Sequence, residues 1–433
     1  MRKAICILLM LGGLLVYQAL PLTYPKESYG AIFPRKQFEQ KMRRPFPQWM
    51  EEQLRADLAP FKTITASMVQ RTFEKVKDRF YHYRIVDNCL YKWGKGSSRD
   101  NELEKAIKTL LTVAKIPDVD FILCPMDGLP EPYMPKDFYL TDDAKVQAPI
   151  FAKARLCSAP YIVLIPDQFS LSLDWMEVSQ EVLTQDVEWE EKRERALWRG
   201  GFTDIGAPNG TVTEDYQSCP RYKICTLDPL FVDAKLCWAG SEAFDQFIRD
   251  AGVWGDAATK KQHLMYKYLP VLDGHMCTYP GYQWRLLSRS LCLKQESDQE
   301  QWFYAALKPS VHYLPIRNDM SDLLEKIHWA KEHDLEARKI AETARAFALD
   351  NLMPADDYLY LYLAFHRYAA LQNIDFKKLD MREFICIQYR KRNRLLKRLM
   401  RHVSSGTLAR WQGFDYSQPG HPSAHQRNVL LFL

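Results

Sequence analysis

Asp127 stands in the stretch VDFILCPMDGLP, one turn beyond a short apolar run. A carboxylate just past the end of a buried strand is where a parallel-sheet enzyme presents a general base. A turn aspartate that only bonds its own backbone is the plainer reading of the same residue. Arg199 lies in LWRGG. Glycines there let a backbone approach a phosphate, and a guanidinium offers it a planar fork. An arginine salt-bridged beside a turn accounts for LWRGG equally well. Arg285 follows the loop DGHMCTYPGYQW and opens a predicted helix. The unpaired N–H groups and partial positive charge of a helix start suit a diphosphate. His275, in the same loop, either holds a sugar hydroxyl or caps a turn. Glu300 reads as an ordinary first-turn acid of a helix whose Trp302 and Phe303 are core.

These residues need elements to carry them. Helical periodicity covers 61–84 through Met68, Phe73, Val76 and Phe80, and 100–115 through Ile107, Leu110, Leu111 and Ala114. Strands are predicted at VDFILC, APIFA and YIVLIPD. The charged stretch 187–197 reads as a helix leading into WRGG, and 203–220 as a loop. A helix around KKQHLMYKYL precedes the DGH loop. After it come the strand LCLK, a helix EQWFYAALK, a strand VHYLPI, one long helix over 320–352 and another over 356–372. Strands alternating with helices imply parallel sheets covered on both faces, with ligands at the strands' carboxyl ends.

Composition narrows the function classes. The chain has 433 residues, 47% hydrophobic and 26% charged, enough for about two domains with sizeable cores. A net charge of +5 is too small for a dedicated nucleic-acid binder, so no nucleic-acid partner is expected. Residues 1–23 carry a basic start and the apolar run AICILLMLGGLLVYQAL, the pattern of a signal peptide or signal anchor. The remainder is expected in the secretory lumen, secreted, or anchored to a membrane by that segment. The basic run YRKRNRLLKRLMRH reads as a solvated helix face or a dock for anionic lipid or an acidic partner. No cysteine pair has CxxC or zinc-type spacing. Cys124 and Cys292 read as core thiols, and the cluster Cys219, Cys225 and Cys237 has room for a disulfide.

Between 189 and 352 the chain resembles the CAP10-type glycosyltransferases, glycosyltransferase family 90. The resemblance rests on W-E-E-K with the following WRG, on KYL-x3-DG, on Trp284-Arg285 and on LKP-x-VHY. It continues collinearly but more weakly at PDVDFILCPMDGLP and YIVLIPDQFSL. It implies a GT-B fold: an α/β protein of two Rossmann-like domains facing a cleft, with C-terminal helices. The acceptor side would cover 24–185, the nucleotide-sugar side 186–352, and C-terminal helices with a basic tail 353–433. It further implies transfer of a hexose or pentose, glucose or xylose, from a UDP-sugar to a hydroxyl of a protein or glycan. The anomeric carbon would be inverted in one step, with no cofactor and no metal. Asp127 falls on the family's catalytic aspartate and would act as base. Arg199 and Arg285 match donor-binding arginines. Gly274, Thr278, Tyr279, Gly281 and Gln283 would lie along the UDP.

The TYPGYQW loop and the surroundings of the PMDG turn depart from relatives, which bears on the choice of sugar and acceptor. Two other classes remain. One is a non-catalytic member that binds a glycan or partner. The other is a hydrolase with paired carboxylates, against which only one well-placed carboxylate counts. Stabilisation by UDP separates both from a transferase.

Overall fold

The computed structural model describes residues 33–94, 101–129, 147–159, 161–203, 216–238 and 242–387. The N-terminal apolar segment and the basic run at 389–402 fall outside these residues. Among the described residues no helix is long and apolar enough to cross a membrane.

The first half begins with three helices, α1 (Arg35–Met42), α2 (Gln48–Leu58) and α3 (Ala66–Val76). Thr65 starts α3 by accepting from the Met68 N–H, and the stripe Met68, Val69, Thr72, Phe73 and Val76 is buried. Thr65 itself ends a two-residue strand, β1 (Ile64–Thr65). The helix expected over 61–84 stops at Val76. Residues 81–86 instead form β2 (Tyr81–Val86), joined to β3 (Cys89–Trp93) by Asp87 and Asn88. Both turn residues have positive φ, 48° and 58°, the geometry that tight hairpins need. The aromatic and β-branched residues of YHYRIV favour a strand once that turn is present.

Helix α4 (Asn101–Val113) leads to β4 (Val119–Leu123), followed by β5 (Ile150–Ala152), β6 (Arg155–Leu156), β7 (Ile162–Leu164) and α5 (Leu173–Gln185). The main sheet has six strands. From one edge they run Phe384–Cys386, β3, β2, β4, β5, β7. Its β4, β5 and β7 are parallel, and β2 is antiparallel to both neighbours.

The second half is an all-parallel sheet of five strands. They are β8 (Arg193–Gly201), β9 (Val232–Trp238), β10 (Tyr266–Val271), β11 (Leu291–Gln295) and, after the short β12 (Gln299–Glu300), β13 (Leu314–Ile316). Its helices in chain order are α6 (Pro220–Ile224), α7 (Glu242–Asp250), α8 (Lys260–Leu264), α9 (Gly281–Leu287), α10 (Leu323–Glu332) and α11 (Asp334–Asn351). The spatial order is β13, β11, β10, β8, β9. Read from the β9 edge this is the 2-1-3-4-5 order of a doubly wound sheet, whose winding reverses between β8 and β10.

Four expectations fail here for physical reasons. Residues 187–197 are a 3₁₀ turn followed by β8. The charges that suggested a helix lie at the start of the strand, where Glu194 pairs with Lys267 of β10 at 3.0 Å. KKQHLMYKYL splits into α8 and the buried β10. EQWFYAALK is β12 and a 3₁₀ turn, although Trp302 and Phe303 are fully buried as expected. The long helix breaks at His333 into α10 and α11. Strand β9, VDAKLCW, was not anticipated, and its alternating burial marks a half-buried edge strand. The cysteine cluster also reads differently, because Cys225 donates to the Arg221 carbonyl and Cys237 to that of Gly200.

The chain then returns to its first half. Helix α12 (Pro354–Ala369) packs Phe365 against Phe121 and Phe151, and Tyr368 against Phe151. Beyond it β14 (Gln372–Asn373) pairs with β1, and β15 (Phe384–Cys386) is the sheet edge already met. Residues 354–387 are therefore part of the first sheet's core.

Candidate functional site

Strand β4 is buried along its whole length and delivers the turn Pro125–Leu129 at its carboxyl end. That turn is pinned to β6, since the Leu129 N–H donates to Ala154 and the Leu156 N–H to Leu129. Asp127 is exposed at its tip. Lys153, just past β5, donates to the Pro125 carbonyl at 3.2 Å from beneath.

The second loop leaves the carboxyl end of β10, beside the reversal of the five-stranded sheet. Its anchor is Asp273, 4% exposed. Lys294 Nζ lies 3.0 Å from Asp273 Oδ2 and Ser297 donates to the same oxygen, while the Thr278 hydroxyl lies 3.3 Å from Oδ1. Thr278 also donates to the Leu272 carbonyl at 2.6 Å. Arg221, from α6, donates to the carbonyls of Gly201, Leu272 and Asp273 and so ties the ends of β8 and β10 together. Gly274 lies directly against Thr203 and Arg221.

The two loops meet. The Tyr279 hydroxyl donates to the Asp127 carbonyl. Gly128 sits so close to Met276 that a Cβ there would lie 2.7 Å from the Met276 methyl. Asp127 also acts electrostatically on His275, although burial is the larger effect and holds that imidazole below its usual pKa.

Arg285 occupies the third corner. It is 6% exposed. Its Nη1 donates to the Gly281 carbonyl at 2.9 Å, its guanidinium lies over the Trp284 ring, and its Nε has no hydrogen-bond partner among the described residues. Burial pulls its pKa down to about 10, so the group is still charged at neutral pH. A buried guanidinium with most of its donors unanswered favours an anion. Nearby His263 is pushed down to about 3 by burial and by Arg285, and is neutral.

The remaining expected residues are placed differently. Arg199 pairs with Asp233 at 2.7 Å and donates to the carbonyls of Trp198, Asp233 and Asp256. That is the salt-bridged alternative, and it leaves the guanidinium occupied by β9. Gln283 is buried, 2% exposed, and its amide is bonded to Ser170 and Asp357. Glu300 lies on β12 and pairs with Arg155 of β6. The reading from sequence missed Arg221, Lys294 and Asp357. Lys294 carried a signal, a lysine inside the apolar strand LCLK, which calls for a buried acidic partner. Among the described residues no group of three or more His, Cys, Asp or Glu side chains is placed to hold a metal.

At the winding reversal of a parallel sheet, a loop carrying a buried, under-bonded arginine thus meets a turn that presents a carboxylate from a second sheet. The profile of Glycosyl transferase family 90 matches residues 46–410, and the chain belongs to that family. Among curated relatives, human Protein O-glucosyltransferase 3 is 28% identical over 348 residues, covering 75% of this chain and 62% of that protein. The mosquito Anopheles gambiae has an O-glucosyltransferase rumi homolog that is 25% identical over 338 residues, 73% of this chain and 77% of that protein. The chain thus spans about three-fifths of the human relative. Among solved structures, Anabaena HepE in complex with UDP and glucose aligns with a TM-score of 0.32 and 11% identity, over 51% of this chain and 63% of that one.

Proposed function

We propose that this chain transfers a sugar from a UDP-sugar to a hydroxyl group of a protein, in a GT-B arrangement of its two sheets. The observation that carries the reading is the meeting of the two loops. An exposed carboxylate, Asp127, and a buried, under-bonded cation, Arg285, stand on either side of one junction. Family membership and the printed names of the relatives favour glucose as the sugar, with xylose as the alternative.

In this reading Asp127 accepts the proton of the acceptor hydroxyl as its oxygen attacks the anomeric carbon. The bond from that carbon to the diphosphate oxygen breaks, and its electron pair leaves with UDP. Arg285 and the loop 274–281 stabilise that negative charge. Attack opposite the leaving group inverts the anomeric centre. Arg199 and Gln283 shape this site through β9 and α12 rather than by touching the donor.

The test replaces Asp127 by Asn and follows sugar transfer and UDP-induced thermal stabilisation together. Transfer is expected to fall at least about 100-fold, with the UDP shift unchanged. Full transfer by this variant would remove Asp127 as base. Absence of any UDP shift in the unaltered protein would remove the donor site and favour a glycan-binding role without catalysis.

A further inference from the structure

Behind α9 lies a buried chain of four polar side chains that the proposed reaction does not use. Asp167 and Ser170 follow β7, Gln283 lies on α9 and Asp357 on α12, and each is 2% exposed or less. Ser170 Oγ stands 2.6 Å from Asp167 Oδ2 and in hydrogen-bond contact with the Gln283 amide. In the structure the amide oxygen faces Ser170 and the amide nitrogen lies 3.0 Å from Asp357 Oδ1, and a half-turn of the amide, which leaves the heavy-atom positions unchanged, exchanges the two.

Counting hydrogens shows that the chain cannot hold together with both carboxylates charged. Ser170 has one proton to give, and the Gln283 amide donates at one end only. If the amide oxygen faces Ser170, the serine proton goes to it, and Asp167 must bring its own proton to Ser170. If the amide nitrogen faces Ser170, the serine proton goes to Asp167, and Asp357 must bring its own proton to the amide oxygen. Either way one carboxyl in the chain is protonated.

The surroundings decide which. Asp167 Oδ1 accepts two backbone N–H groups, from Phe169 at 2.8 Å and Ser170 at 3.2 Å, and Lys153 acts on it favourably. Burial raises the Asp167 pKa, and these contacts oppose it by stabilising the charged carboxylate. Asp357 Oδ2 has no hydrogen-bond partner among the described residues, and the charges facing Asp357 are the carboxylates Asp356 and Asp167. Lys41 is taken by Asp356 at 2.7 Å. Burial drives the Asp357 carboxyl well above its usual pKa, against the opposing effect of hydrogen bonding from Gln283 and from the Trp175 indole of α5, whose N–H also goes to the Leu352 carbonyl at 3.1 Å. Tyr279 is the further titratable group acted on by Asp167, and burial keeps its phenol protonated.

We propose that Asp357 is a neutral carboxylic acid at neutral pH, and that it serves with Gln283 as a positioning residue that holds α9, and with it Arg285, in place for the donor. The role in donor binding rests on the function proposed above. The protonation does not. When Asp357 loses its proton, an acceptor faces an acceptor at the Gln283 contact, and α9 must shift.

The experiment measures unfolding by denaturant and UDP affinity by calorimetry at pH 7, 8 and 9, for the unaltered protein, Asp357→Asn and Asp167→Asn. Above pH 7, Asp57 and Asp356, which titrate at about 6, are already ionised. The native state holds one more proton than the unfolded one at Asp357. The folding constant of the unaltered protein is therefore expected to fall by one extra factor of ten per pH unit, relative to Asp357→Asn, up to the native pKa. Asp357→Asn is expected to fold, to bind UDP normally at pH 7 and to hold that affinity to a higher pH than the unaltered protein does. Asp167→Asn should lower the folding constant at pH 7 about tenfold, the usual worth of a charged hydrogen-bond acceptor, and keep the slope. Loss of the slope in Asp167→Asn alone, no slope difference in either variant, or failure of only Asp357→Asn to fold would each overturn the proposal. UDP binding by no protein at any pH would sink the donor reading, while the slopes would still decide the proton.

Discussion

The missing side chain of Gly281 is what lets Arg285 fold back over the start of its own helix. A Cβ there would lie 2.8 Å from Arg285 Nη1 and 2.5 Å from the Thr278 methyl. Gly281→Ala must therefore displace the guanidinium or the loop. Overpacking of this kind costs about 1–3 kcal/mol. We expect stability to fall within that range and UDP affinity to fall at least tenfold, because the cation moves off the donor. Calorimetric titration with UDP beside denaturant unfolding checks this, and normal affinity in a destabilised variant would detach Gly281 from the site. Residues of this kind were partly legible. Asp127 follows an apolar strand that local sequence places, whereas Arg285, expected to open its helix, lies in the last turn of α9, because the helix already starts at Gly281 within the loop. Arg199 was not legible, because its partner Asp233 lies on a strand that could not be anticipated. Nor was Asp357, an acid inside a helix whose polar partners lie on α5, α9 and the loop after β7.

The unit formed by β10, the DGH loop, α9 and β11 positions the site, and its middle is held by one buried ion pair. Lys294 and Asp273 are 5% and 4% exposed, and Asp273 also takes the Ser297 and Thr278 hydroxyls. Removing one partner of such a pair leaves a buried charge unanswered and costs about 3–5 kcal/mol. Lys294→Met is expected to lose that much stability and, with Asp273 no longer fixed, to lose UDP-induced stabilisation as well. The double variant Lys294→Met, Asp273→Asn should recover part of the stability, because the stranded charge is gone. No recovery would mean that the lysine acts by packing alone. Within this unit β11 and the loop before α9 were well read from strong local signals, while β10 was taken for part of a helix around KKQHLMYKYL. Strand β8 was misread because its exposed charged start resembles a helix face. Strand β9 was missed because an edge strand with two charges has too weak an alternation to stand out.

Across the whole molecule, Arg155 joins the two sheets. Its guanidinium is 2.7 Å from Asp57 of α2, donates to the Ile162 carbonyl before reaching solvent, and pairs with Glu300 of β12. Strands β6 and β12 pair antiparallel at the same place, and Leu129 bonds to β6 beside Arg155. The register of the Asp127 turn against the donor loop is thus set here, by contacts 145 residues apart in the chain, between Arg155 and Glu300, that no local pattern announces. Asp57 has no exposed side-chain surface. Burial pushes its carboxyl up to about 6 even against Arg155. Its native pKa therefore lies above the unfolded value of about 3.9. The stability it contributes is full below that value and is lost as pH rises through about 6. Arg155→Met removes the compensating charge and raises the native pKa of Asp57 further. The variant should lose about 3–5 kcal/mol at pH 8 and clearly less at pH 5, where Asp57 is protonated and needs no partner. Denaturant midpoints at the two pH values measure this directly. Sugar transfer should fall more than UDP affinity, since the Asp127 turn shifts while α9 and Arg285 keep their own supports. Equal losses of stability at both pH values would show that Arg155 joins the sheets through packing and its carbonyl bond, with no contribution from the charge on Asp57.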